Sequence, residues 1–227
     1  MITLHHLENS RSQRILWLLE ELGLNYEIKV YRRDPKTSLA PAELLDLHPL
    51  GKAPIVTDGD RTLAESGAIV EYLVRVHGDG RLRPACDSPA YIDYEYWMHY
   101  AEGTFMPLMF ISLLLGRIES AKLPFFAKPV AKGITARVRE SYLDDNVRRN
   151  LDFMQATLAR QAWFAGDEFT AADIQMSFAI EAAEVRTSLK TDYPALAQFL
   201  NRIRSRSAYQ RALEKGGPYE LLGAKPD

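Results

Sequence analysis

A single cysteine, Cys86, occurs among the 227 residues, which excludes an internal disulfide framework. One unpaired thiol fits a reducing compartment, so a cytoplasmic protein is expected. Neither sign of charge is in excess, because 28 Lys and Arg against 30 Asp and Glu leave a formal −2. That balance gives no reason to expect a nucleic-acid partner. Long hydrophobic runs are missing as well. His5, His6 and Glu8 interrupt any apolar leader at the start. The longest apolar stretch, around residues 105–115, is too short to span a bilayer and contains Pro107, so no membrane partner is expected. The chain has no internal repeat, no low-complexity segment, no phosphate-binding glycine loop and no dinucleotide fingerprint. No Cys/His cluster occurs, and the adjacent His5 and His6 point to opposite faces of a strand, so no metal site is expected.

What is present divides into two halves with different patterns. Through residue 77, strand-like and helix-like segments alternate. Ile2–Leu7 reads as a strand, and Ile15, Leu18, Leu19 and Leu22 then recur at helical spacing until Gly23 stops them. Residues 26–31 read as a second strand and 42–47 as a short helix. Residues 55–57 and 62–64 form a hairpin around Asp58-Gly59-Asp60, and Ile69, Val70, Leu73 and Val76 make a third helical face. This order, β-α-β-α-β-β-α, is an α/β unit with a small mixed sheet.

Gly78, Gly80, Pro84 and Pro89 mark a linker, so residues 1–80 and 88–227 are expected as separate units. Beyond the linker no strand pattern is found. Residues 91–115 read as a long aromatic-rich helix, bent or interrupted near Gly103 and Pro107, and residues 119–133 break the pattern. Leu143, Val147, Leu151, Met154 and Leu158 form an amphipathic stripe, and later helices fall near 172–189, 193–204 and 208–214. Thr170 and Asp173, three apart before an apolar run, read as a capping box with Asp in place of the usual Glu and with Phe169 stapling onto Ile174.

The most informative segment is Gly51-Lys52-Ala53-Pro54 followed by Glu65-Ser66-Gly67-Ala68-Ile69. Pro54 before a strand marks a strand start or a tight, cis-compatible turn. It pushes Ala53 to an extended shape, with its amide and carbonyl free to pair with another backbone. Ser66 at a helix start offers a hydroxyl and free amides, which suit a carboxylate. Backbone pairing at one end and anion capture at the other fit a short peptide. The plain alternative is an ordinary hairpin leading into a capped helix.

This segment resembles the glutathione-binding signature of the cytosolic glutathione S-transferases. The opening strand with Asn9-Ser10-Arg11-Ser12-Gln13-Arg14 and the Phe169-to-Ile174 segment match the same family in order and spacing. The wording of residues 9–22 is similar to a bacterial and fungal, serine-type branch. The resemblance implies a thioredoxin-like N-terminal domain, an all-helical C-terminal domain and a homodimer. Its implied activity is detoxifying conjugation of glutathione to a small hydrophobic electrophile, with reduction of organic hydroperoxides as a variant. A non-catalytic interaction or ligand-carrier protein on the same fold is the alternative, because fold alone does not settle function. The family pattern places Lys52 at the glycine carboxylate of glutathione, Ala53 (set by Pro54) at the cysteinyl backbone, and Glu65 and Ser66 at the γ-glutamyl end.

Such chemistry needs a thiolate, and a thiol with a pKa of roughly 8.5 is only a few per cent ionised at pH 7. A hydroxyl donating to sulfur, aided by the positive end of the first helix, supplies the shift. Ser10 is the expected donor, because in serine-type relatives the activating serine commonly precedes an arginine by four residues and Arg14 sets that frame. Ser12 and Asn9 are the alternates, and either serine also suits a helix cap. Neither tyrosine nor cysteine occurs in residues 7–13, which disfavours the family's other two activation modes. Tyr91, Tyr94 and Tyr100 are more than one helical face usually buries, which suggests that this helix forms the dimer contact.

Overall fold

The computed structural model describes residues 1–217; the expected end of the helical unit, 218–227, lies outside the described residues. Four strands, β1 (Ile2–Leu7), β2 (Tyr26–Tyr31), β3 (Ile55–Asp58) and β4 (Arg61–Ala64), form one mixed sheet in the order β2-β1-β3-β4. β1 runs parallel to β2, which requires a crossover, and α1 (Ser12–Leu22) provides it. β3 is antiparallel to both β1 and β4. β1 is central and is buried at five of its six positions. α2 (Ser66–His77) packs on α1 and β4. The helix expected at 42–47 is only a single 3-10 turn, Ala42–Leu44, whose one buried residue, Leu44, gives it little apolar face to pack. The Ala53–Pro54 peptide is cis.

The remaining elements are helical: α3 (Pro89–Tyr100), α4 (Met106–Ser120), α5 (Ala127–Val138), α6 (Asp144–Leu158), α7 (Ala171–Glu184), α8 (Leu189–Asp192), α9 (Pro194–Arg204) and α10 (Ser207–Gly216). The mixed sheet and the all-helical unit together form the thioredoxin-type two-part architecture expected from the sequence. α3 and α4 are joined without a break by one π-helical turn, Ala101–Phe105, ahead of Pro107. A wider turn accommodates the missing proline donor and rotates the helix face. The continuous run Pro89–Ser120 is long and apolar enough, by length and composition, to cross a membrane, which the sequence reading of 105–115 missed. It nevertheless carries Tyr94, Trp97, Phe105 and Met109 into the core of this fold. The break expected at 119–133 is narrower, since α5 tolerates Pro129 in its first turn.

The stripe from Leu143 to Leu158 is buried throughout. The capping box is formed: Asp173 accepts from the amides of Thr170 at 2.8 Å and Phe164 at 2.9 Å. Phe169 packs tilted against Trp17 and edge-on to Trp163. α10 returns to the first unit and packs along α1. Three basic groups, Arg206, Arg211 and Lys215, pair with Glu21 and Glu20 there, and Gln13 donates to the Ala212 carbonyl at 3.0 Å. Burial pushes the Glu20 carboxyl up, but donation from Lys215, Tyr26 and Arg211 outweighs it and holds the group down at about 2.

Candidate active site

β1 ends at Leu7 in the middle of the sheet, and the chain must turn within four residues to start α1. Asn9 takes a left-handed φ of 50° to make that turn. Arg33, just after β2, fixes it by donating to the carbonyls of Glu8 at 3.1 Å and Asn9 at 2.9 Å. Two serines then follow in the turn. Ser12 is fully buried. Its hydroxyl lies 2.9 Å from His6 Nδ1, 2.8 Å from Ser10 Oγ and 3.0 Å from the Leu7 carbonyl, and it accepts from the Leu7 amide at 3.1 Å. Ser10 Oγ also reaches the Leu7 carbonyl at 2.8 Å and accepts from the Ser12 amide at 3.2 Å. Unlike Ser12, Ser10 borders a cavity of about 700 Å³.

Asn9, Lys52 and Ala53 share that cavity wall with Ser10, while Met106, Met109, Phe110, Leu113 and Phe178 form an apolar wall. Positions 106, 109, 110 and 113 follow helical spacing, so one face of α4 supplies four of the five. Of the aromatics in the helical run 91–115, Phe110 alone lines this cavity. Tyr96, Trp97 and Tyr100 cluster around Phe153, and Phe105 is fully buried. Gly51 at φ +55 shapes the rim, because a Cβ there would meet Leu45 Cδ2 at 2.7 Å.

Lys52 is exposed, and Ala53 precedes β3 with no backbone hydrogen bond among the described residues. Glu65 flanks α2 at φ 70°, a conformation costly for a residue with a side chain. Ser66, buried, opens α2, whose first amides have no intrahelical acceptor. A second cavity of about 590 Å³ lies beside Glu65, with Gly67, Glu71, Glu102 and Gln175 in its wall. Gln175 on α7 is fully buried, and neither polar atom of its side chain has a partner among the described residues. Arg14, also buried, donates to the Gln175 carbonyl and pairs with Glu102, which Arg11 approaches at 3.1 Å. Burial raises the Glu102 carboxyl, yet Arg14 and Arg11 together hold it below the usual range.

The structure therefore brings Asn9, Ser10, Lys52 and Ala53 to one cavity, with Pro54 buried behind them, and sets Glu65 at a neighbouring one. The sequence reading did not single out Arg33, Glu102 and Gln175. The signal at Gln175 was a polar residue inside the apolar run after Asp173; Arg33 and Glu102 carried none.

The glutathione S-transferase N-terminal domain pattern matches residues 1–75, and the C-terminal domain pattern matches residues 120–207. Over 216 residues the chain is 40% identical to glutathione S-transferase 3 of Schizosaccharomyces pombe, spanning 95% of this chain and 88% of that one. The chain belongs to the glutathione S-transferase family. It is also 31% identical over 223 residues to glutathione S-transferase 1 of Saccharomyces cerevisiae, spanning 95% of each. A crystal structure of a glutathione S-transferase from Actinobacillus pleuropneumoniae superposes with a TM-score of 0.79 at 34% identity, covering 98% of this chain and 95% of that one. Among the described residues of this transferase, no group of three or more His, Cys, Asp or Glu is placed to hold a metal ion.

Proposed function

We propose that this transferase conjugates the thiol of glutathione to small hydrophobic electrophiles, and that Ser10 donates a hydrogen bond to the thiolate. The observation that carries the reading is the placement of Ser10 on a cavity that Met106, Met109, Phe110, Leu113 and Phe178 also line. Sulfur at Ser10 then faces the electrophile across the cavity. Ala53 pairs with the cysteinyl backbone, Lys52 meets the glycine carboxylate, and Glu65 with Ser66 holds the γ-glutamyl end. Reduction of organic hydroperoxides uses the same activated sulfur. Ser10 is preferred to Ser12 because Ser10 borders the cavity while Ser12 is fully buried away from it, and this arrangement suits the serine-type, bacterial and fungal branch.

Asn9 supports a second reading. Its buried amide oxygen has no partner among the described residues and it lines the same cavity. Rotation of the amide exchanges oxygen for nitrogen, which makes Asn9 a donor toward sulfur. The test is the ultraviolet absorbance of bound thiolate against pH in Ser10→Ala and Asn9→Ala. The variant with the larger upward shift of thiol ionisation identifies the donor.

We further infer a cytoplasmic homodimer whose two units divide near residues 80 and 88, with no metal, membrane or nucleic-acid partner. Tyr94 and Tyr100 are not free to make the dimer contact expected from the sequence. Both are buried within their own chain, where Tyr94 donates to Glu71 at 2.6 Å. The large apolar side chains that α3 leaves exposed are Ile92, at 71%, and Tyr96, at 47%. Light scattering checks the state: a mass near twice 25.8 kDa is expected.

A further inference from the structure

The Ser10 reading leaves a buried titratable group next to the two serines unused. His6, 1% exposed, sits behind Ser12 on β1. Its Nε2 is 3.2 Å from the Gly216 carbonyl, and a carbonyl only accepts, so Nε2 carries the ring proton. Nδ1 is then the bare nitrogen and accepts the Ser12 hydroxyl at 2.9 Å. Ser10 Oγ and Ser12 Oγ are 2.8 Å apart; with the Ser12 proton donated to His6, the Ser10 hydroxyl, which also reaches the Leu7 carbonyl at 2.8 Å, is the one that can donate between them. Gly216 makes this possible, since a Cβ there would lie 3.2 Å from His6 Nε2 and 2.7 Å from Gln13 Oε1. A continuous chain of donors thus runs from the cavity wall at Ser10 to a single proton acceptor in the interior.

We propose that His6 is the acceptor of the glutathione thiol proton, reached through the Ser10 and Ser12 hydroxyls. The inference rests on Ser10 being the residue at sulfur. The S–H bond breaks as its proton passes to Ser10 Oγ. The Ser10 proton passes to Ser12 Oγ, and the Ser12 proton to His6 Nδ1, leaving thiolate and imidazolium with both serines neutral. Every hydrogen bond in the chain is now reversed. Ser10, which formerly donated inward, donates outward to the sulfur anion. After conjugation the thioether sulfur has no charge to hold that bond, and the chain returns the proton to water in the cavity.

A base must be neutral before it can accept. Burial, foremost, lowers the His6 pKa from its ordinary value, while the Gly216 carbonyl and the charge of Glu8 pull the other way. Around the ring, Glu8 lies just past the end of β1, α1 presents the uncharged Ser12 and Gln13, and α10 presents the Gly216 backbone. The acid limb of kcat/KM should accordingly fall below the ordinary histidine range.

Ring-nitrogen NMR of protein labelled at histidine tests the inference, with His6→Asn identifying the His6 signals. On adding glutathione at neutral pH, His6 should gain a second ring proton in proportion to the thiolate absorbance. S-methylglutathione, which has no thiol proton, should leave the ring neutral. His6→Asn retains an acceptor for Ser12 and should lose on the order of 10²-fold in kcat/KM at neutral pH, the lower end for a positioned proton acceptor. That loss should close as rising pH ionises the thiol without help. Ser12→Ala leaves the His6–Gly216 contact in place and should give the same profile, and the double variant should be no worse. Full thiolate absorbance that depends on Ser10 while His6 stays neutral overturns the relay and leaves Ser10 standing, as does a loss independent of pH. Thiolate absorbance indifferent to Ser10→Ala overturns both.

Discussion

The two strand-to-helix junctions of the first unit are built in opposite ways. At the start of α1, Ser10, Ser12 and His6 spend nearly all their hydrogen bonds on one another and on the Leu7 and Gly216 backbone. At the start of α2, Glu65 is exposed at φ 70° and the first amides of the helix are left without an intrahelical acceptor. The first junction is nearly closed among its own groups and leaves the Ser10 hydroxyl and the Asn9 amide at the cavity. In the proposed reading the second is completed by the ligand. Chemistry that needs a group held in one orientation belongs at the closed junction, and binding that needs unspent donors belongs at the open one.

The largest effect expected from breaking this contrast is at the closed junction's charged support. Arg14→Ala leaves Glu102 against a partly buried cleft with only Arg11 beside it. Removing one partner of such a pair costs about 3–5 kcal/mol, to be read from the urea midpoint. At the open junction, stability should hold while binding fails. Glu65→Ala with Ser66→Ala should raise the KM for glutathione ten-fold or more, as charge-assisted bonds of about 1.5–3 kcal/mol are lost. An unchanged KM in the folded double variant removes the γ-glutamyl assignment.

Ser10→Ala should leave binding nearly intact and shift the pH–rate profile upward by about one to two units. If KM changes instead of the profile, the division between the junctions is wrong. A smaller effect concerns the clamp of α10 on α1, which places Gly216 on His6. The folded Glu20 carboxyl, at about 2, lies below its ordinary 4.5. Its stabilisation is therefore fully present above 4.5 and is lost as pH falls toward 2. With Arg211 and Lys215 half exposed, solvent screening leaves about 1–2 kcal/mol. The denaturation midpoints of wild type and Glu20→Gln should converge over that pH range. The smallest effect is at Lys52, which is exposed, so Lys52→Ala should raise the KM only a few-fold, by about 1 kcal/mol or less.

Much of this was legible in the chain itself, because the signals were local. The helical spacing from Ile15 to Leu22 and from Leu143 to Leu158, the capping pair Thr170 and Asp173, and the proline after Ala53 each act within a few residues. Their structures follow from backbone geometry and side-chain period. The same locality fixed the order of strands and helices and brought Lys52, Ala53, Glu65 and Ser66 into one short stretch.

What only the tertiary structure decided lies across long separations. Nothing in Asn9-Ser10-Arg11-Ser12 tells which hydroxyl opens to the cavity, since that depends on His6 from β1 and Gly216 from α10, 210 residues apart, closing around Ser12. The extra residue of the π turn rotates α4 so that Met106, Met109 and Phe110 face the cleft, while Tyr94 and Tyr100 turn into the core. A sequence period states that a helix has an apolar face; only packing determines what covers it.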